Sequence, residues 1–193
     1  MDNVLKLSSP MPPSNNHYLS YKVVRKGNKS LAMSYQTKET KAFKNYFIPH
    51  VKSEMVKQRF IPSKDKKQFI HYDVTIYFPR VDMDSSNYYK VILDSLTEAG
   101  VWIDDNVVIE RCKRIYYDSN NPRLEIEIYY ADFIGIFDNK SQFDEFHSNC
   151  IQCIKYKNGK CSILNKAKES RIQEEIQNMK CMKCKTGNPA GLN

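Results

Sequence analysis

Gln68-Phe69-Ile70-His71-Tyr72-Asp73-Val74-Thr75-Ile76-Tyr77-Phe78-Pro79, followed by Asp82-Met83-Asp84-Ser85-Ser86-Asn87-Tyr88-Tyr89-Lys90-Val91-Ile92-Leu93-Asp94-Ser95-Leu96-Thr97-Glu98-Ala99-Gly100-Val101-Trp102-Ile103-Asp104-Asp105, decides how this chain folds. In the first segment Ile70, Tyr72, Val74, Ile76 and Phe78 alternate with more polar residues. That is the period of a half-buried strand, and Pro79 stops it. The second segment changes period. At about 100° per residue, Tyr88, Val91, Ile92, Ser95, Leu96 and Ala99 fall on one stripe of a helix. Asn87, Lys90, Asp94 and Glu98 form a polar stripe beside it. Ser85 or Ser86 is expected to cap the helix, and Gly100 to end it in the left-handed conformation.

Working outward, residues 1–16 read as a loose N-terminal arm rich in Ser, Pro and Asn. Residues 18–25 alternate as a strand, with turn chemistry at Gly27 and Asn28. Residues 37–60 follow a helical spacing through Phe43, Phe47, Val51 and Met55, and Pro49 predicts a kink or two shorter helices. Lys38, Lys41, Lys44, Lys52 and Lys57 are expected on solvated faces. Downstream, residues 107–117 and 124–130 read as strands joined by a turn at 119–122, hence a hairpin. The order strand, helix, strand, helix, strand, strand predicts an α+β domain: a mixed β-sheet with helices packed on it.

The chain has 193 residues, 41% of them hydrophobic, which suffices for one good core and a small appendage. No apolar run approaches membrane-spanning length, and the first residues lack the basic and apolar regions of an export signal. A reducing, cytoplasmic setting is therefore expected. The formal net charge of +8 favours a polyanionic partner, nucleic acid before membrane surface.

Four acids bracket the helix: Asp82 and Asp84 before it, Asp104 and Asp105 after it, with Lys90 between. Pair by pair, helix caps and turns account for such aspartates. Together they also offer what Mg²⁺ needs, a few hard oxygen ligands with room left for water and phosphate. Lys90 would add a fixed positive charge against a phosphorus-centred transition state. Asp94, one turn on, suits a salt bridge to Lys90 better than a ligand role. Lys113 suits either a phosphate contact or an ordinary strand surface.

The spaced set Asn87-x2-Lys90-x3-Asp94-x-Leu96, then Ala99-Gly100-Val101 and Asp104-Asp105 fifteen residues after Lys90, resembles the RusA family of Holliday-junction endonucleases over about residues 73–128. The resemblance implies a RusA-like fold and a small homodimeric, Mg²⁺-dependent resolvase, bacterial or phage-encoded. Such an enzyme makes paired nicks in four-way DNA junctions during recombination and repair. It also assigns the metal-binding acid of the DD pair to Asp105, the motif lysine to Lys90 and the motif asparagine to Asn87. An ungapped match places Asp84 at the first motif aspartate and Ser86 at the second. A two-residue insertion at Ser85-Ser86 matches Asp82 and Asp84 instead. If Ser86 replaces a ligand, the rival reading is a catalytically weakened nucleic-acid-binding or regulatory protein on the same fold.

The tail reads separately. Cys150-x2-Cys153 and Cys181-x2-Cys184 are separated by 27 residues, with Cys161 between them. In a reducing compartment this spacing suits tetrahedral Zn²⁺. The two pairs could supply the four ligands, or Cys161 could replace a member of the last pair; His147 is a further candidate. The expected organisation is a nuclease domain over 1–132, a linker over 133–146 and a cysteine-rich zinc-binding module over 147–193.

Overall fold

A computed structural model describes residues 3–27 and 29–184; the predicted turn residue Asn28 and part of the N-terminal arm, Met1 and Asp2, lie outside it. The chain divides into two compact units, one of residues 1–66 and 70–130, the other of residues 67–69 and 131–193. No helix among the described residues is long and apolar enough to cross a membrane.

The first unit is built on a four-stranded sheet in the order β1-β6-β4-β5, with β1 Val4–Pro10, β4 Ile70–Phe78, β5 Val108–Tyr117 and β6 Arg123–Tyr130. The alternation read in β4 holds: Ile70, Tyr72, Val74, Ile76 and Phe78 are each at most 1% exposed. They meet α2 (Lys38–Lys57) and α3 (Tyr89–Ala99), whose Phe43, Phe47, Val51, Val91, Ile92 and Leu96 complete the core. A short helix α1 (Asn15–Tyr18) leads into a separate two-stranded ribbon, β2 (Leu19–Lys26) with β3 (Lys29–Gln36).

The N-terminal arm is not loose. Val4–Pro10 pairs antiparallel with β6, and its Leu5 and Leu7 are buried on the core face. The Asn3 side chain secures it further, donating to the Ile61 carbonyl at 2.8 Å and accepting from the Ile61 N–H at 2.9 Å. Pro49 does not divide the second helix, since α2 runs unbroken through it. Lys44, expected in solvent, is 5% exposed and forms an ion pair with Glu98 of α3.

The predicted hairpin of β5 and β6 does not form. Helix α3 returns the chain so that β5 lies parallel to β4, as a helical crossover requires. Strand β6 then pairs antiparallel with the other side of β4. The 118–122 connection thus passes across the end of β4, where the Asp118 N–H donates to the Phe78 carbonyl at 2.7 Å. Helix α3 ends as expected. Gly100 has φ +85°, and the Gly100 and Val101 N–H groups donate to Thr97 and Leu96, the paired bonds of a Schellman cap.

The second unit contains α4 (Lys140–Ile151), α5 (Ser162–Lys168) and a hairpin of β7 (Ile176–Gln177) with β8 (Lys180–Cys181). Phe137, Phe146, Cys150, Leu164 and Ala167 form its core. Residues 133–146, expected as a linker, supply two of those side chains, because Phe137 and Phe146 are too apolar to leave in water. Gly135 permits this packing: a Cβ there would stand 2.0 Å from the Ala167 carbonyl oxygen.

Candidate active site

The connection leaving β4 is organised by its own polar groups. Arg80 Nε lies 2.8 Å from Asp82 Oδ1, in an exposed pair. Asp84, not Ser85 or Ser86, is the cap. Its Oδ1 accepts from the Ser86 N–H at 2.9 Å and its Oδ2 from the Ser86 hydroxyl at 3.0 Å. A carboxylate at this position answers the unpaired N–H groups of the 3₁₀ turn Ser85–Tyr88 that opens α3. The Asn87 N–H adds a bond to the Asp84 carbonyl.

Lys90 is the hinge of the acidic set. Its Nζ lies 2.8 Å from Asp94 Oδ1 and 3.5 Å from Asp105 Oδ2, tying the helix to the turn that follows it. The bond to Asp94 is the main reason its ammonium is held above the usual lysine range. Asp94 is thus the salt-bridge partner expected, and its second oxygen accepts from the Tyr18 hydroxyl. Burial first, and Asp94 next, push the Tyr18 phenol up. The DD pair divides its duties: Asp104 accepts from the Asn106 N–H at 3.1 Å and caps the turn, while Asp105 faces Lys90.

Two contributors escaped the sequence reading. Tyr18 approaches from another element, and no local spacing points to it. Glu110 stands within electrostatic reach of Asp105 and Lys90; burial, with the Asp105 charge adding, pushes its carboxyl up. Its two-residue spacing from Val108 and Cys112 on β5 was the available signal. Lys113 belongs elsewhere. Together with Arg111 it neutralises Asp73, at 3.4 Å and 2.6 Å respectively, on the sheet face away from the helices.

The structure therefore unites Lys90, Asp94 and Asp105, while Asp82 and Asp84 are engaged by Arg80 and Ser86. Among the described residues no three acidic, histidine or cysteine side chains already stand where they would hold a metal ion. The donors nonetheless have the right chemistry for Mg²⁺: Asp82, Asp84 and Asp105 present carboxylate oxygens, and their present partners are solvent-accessible groups.

Residues 10–129, more than half of the chain, match the family model of the endodeoxyribonuclease RusA. The chain belongs to the RusA family. It is 27% identical over 109 residues to the crossover junction endodeoxyribonuclease RusA of Escherichia coli O139:H28 (strain E24377A / ETEC), a match covering 56% of this chain and 79% of that protein. Its identity to the protein of the same description from Shigella sonnei (strain Ss046) is 28% over the same length and shares. The RusA match spans Asp82, Asp84, Asn87, Lys90 and Asp105, and stops before residue 131.

The cysteines lie beyond that match. Cys150 and Cys153 close one turn, Cys153 N–H to Cys150 carbonyl at 3.0 Å, and Cys181 and Cys184 close another at 3.1 Å. Burial, then the neighbouring thiols of Cys161, Cys184, Cys181 and Cys153, push the Cys150 thiol up to about 12. Burial and a hydrogen bond with Cys153 push Cys184 up to about 11. His147 does not join them: its Nε2 is 2.8 Å from the Tyr156 hydroxyl, and its ring stacks on Phe143.

Proposed function

We propose that this chain is a Mg²⁺-dependent, structure-selective DNA endonuclease that resolves four-way junctions by paired nicking, acting as a homodimer. The observation that carries the reading is the Asp94–Lys90–Asp105 link, formed inside the segment that matches RusA. The nuclease domain would lie in the first unit, and the cysteine-rich stretch in the second, whose core also draws on residues 133–146.

Asp84 and Asp105, with Asp82, are the side chains that would hold Mg²⁺; when bound, the ion supplies a polarised water and neutralises charge on the phosphate. Lys90 does its part through position. Asp94 fixes the ammonium beside Asp105, so a positive charge waits where negative charge builds on the phosphoryl oxygens. The basic excess of the chain draws the polyanionic substrate in. The test is cleavage of a synthetic four-way junction with Mg²⁺, against linear duplex of the same sequence. Paired nicks confined to the junction support the proposal, and failure to cut any junction in Mg²⁺ sinks it.

One observation favours the second reading. Ser86 stands at the second acid position of the ungapped match, and both its N–H and its hydroxyl are engaged by Asp84. A chain that had lost that ligand would bind junctions in EDTA and leave them uncut in Mg²⁺.

A further inference from the structure

The second unit asks more of its side chains than a core of Phe137, Phe146, Cys150, Leu164 and Ala167 can give. Its hairpin strands are two residues long each. Units of this size with so few buried apolar groups ordinarily need disulfides or a metal. All five of its cysteines are free thiols, so the first device is not in use.

The thiols are nevertheless arranged about one another. Each C-x-x-C pair closes an i to i+3 turn, which turns its two side chains to one side. The first pair ends α4; a tight turn at Asn158 and Gly159 then leads back toward Cys161. The second pair begins on β8 itself, with Cys181 opposite Ile176, and the β7–β8 turn holds Asn178 at φ +48° and Met179 at φ +55°. Left-handed backbone is unfavourable for a methionine, so the surroundings must hold this turn in place. The two pairs meet: Cys184 shares a hydrogen bond with the Cys153 thiol, and its Sγ lies 3.6 Å from the Asn149 carbonyl. Cys150, Cys181 and Cys184 line one cavity of about 330 Å³ with Phe146, Asn149, Met179 and Lys180.

We propose that the two C-x-x-C turns of the second unit, through Cys150, Cys153, Cys181 and Cys184, form a four-thiolate Zn²⁺ site that holds this unit folded. Thiolates select soft or borderline cations, and a closed four-sulfur set is the pattern of a structural rather than a catalytic zinc. Binding releases the thiol protons and draws the four sulfurs from neighbouring positions to ligand positions. Cys161, which precedes α5 outside either turn, remains a free thiol beside the site. This inference goes beyond the nuclease reading and does not depend on it.

The test uses the full chain purified under reducing conditions and read by metal content, thiol counting and Co²⁺ exchange. The chain has six cysteines. One Zn²⁺ per chain is expected, with only Cys112 and Cys161 reactive toward a thiol reagent until a chelator exposes the rest. Exchange with Co²⁺ should give the intense absorption of a tetrahedral tetrathiolate. The Cys161→Ser variant should keep metal, spectrum and stoichiometry, whereas Cys184→Ser should lose the four-sulfur spectrum. Because Cys184→Ser could simply unfold the unit, apo wild-type chain titrated with Zn²⁺ provides the second measurement: four thiols should become protected per ion bound. Six reactive thiols with no bound metal, iron in place of zinc, or loss of metal in Cys161→Ser would overturn the assignment. None of these readings involves DNA cleavage.

Discussion

The two units of this chain reach order by unequal means. Among the described residues, the first buries a continuous core that runs from Leu5 through β4 and α3 to Ile128, while the second gathers Phe137, Phe146, Cys150, Leu164 and Ala167. Its polar groups differ accordingly. In the first unit they act in pairs that cross between elements: Lys44 with Glu98, Lys90 with Asp105, Arg111 with Asp73. In the second, thiols supply part of the apolar core itself. A sheet domain with this much apolar burial can keep carboxylates exposed for work, because its stability does not rest on them. A thin unit has no such freedom, and a thiol, Cys150, takes a place in its buried core.

Mutations can break this comparison in a graded way. The largest effect is expected from the double change Asp84→Asn, Asp105→Asn. Junction cutting should fall to background while urea unfolding of the chain is unaltered; normal cutting would show that these acids are caps and turns only. Lys90→Met should come next, slowing single-turnover cleavage by about 10²–10³-fold. Junction binding in EDTA should weaken far less.

The third measurement concerns the arm that is a strand. Leu5→Ala should cost about 3 kcal/mol in urea unfolding, because it opens a cavity in a core position that is 0% exposed. A loose arm would give almost nothing. Asp73→Asn should cost about 2–3 kcal/mol by leaving Arg111 and Lys113 without their buried acceptor. Burial opposes the Asp73 charge, yet bonds from Arg111, Tyr129 and Lys113 outweigh it and hold the carboxyl below the usual range. With the folded value depressed, this contribution is fully present above about pH 4, the unfolded value, and is lost as pH falls through the folded one. Asp73→Asn should therefore flatten the acid limb of the stability profile. The smallest effect is expected from Lys113→Ala, within about 0.5–1 kcal/mol and without change in cleavage rate. A large loss of cutting would return Lys113 to the active site.

What was legible in the sequence was local. The β4 alternation, the α3 stripe and the Gly100 cap are each set by neighbours a few residues apart, and each was found where expected. Lys90 and Asp94 were legible for the same reason, being one helical turn apart. Strand β1 was obscured because its two buried leucines sit among Ser and Pro, and an edge strand needs a partner more than a strong pattern. The β5–β6 hairpin failed because nearness along the chain was taken for pairing. Tyr18 and Lys44 were invisible to spacing. Each gains its role from an element far away in sequence.

By itself the sequence determined the period of α2, β4, α3, β5 and β6 in the first unit, the placement of the spaced motif on one helix and the pairing of cysteines into two short turns. These follow from dihedral preference and side-chain periodicity, which act over a few residues. Tertiary structure alone decided that β4 lies between β5 and β6, that Asp84 and Asp104 serve as caps while Asp105 meets Lys90, and that Lys44 and Asp73 are buried charges with partners. Those outcomes depend on which apolar faces close against each other, and that closure brings together groups the chain itself keeps apart.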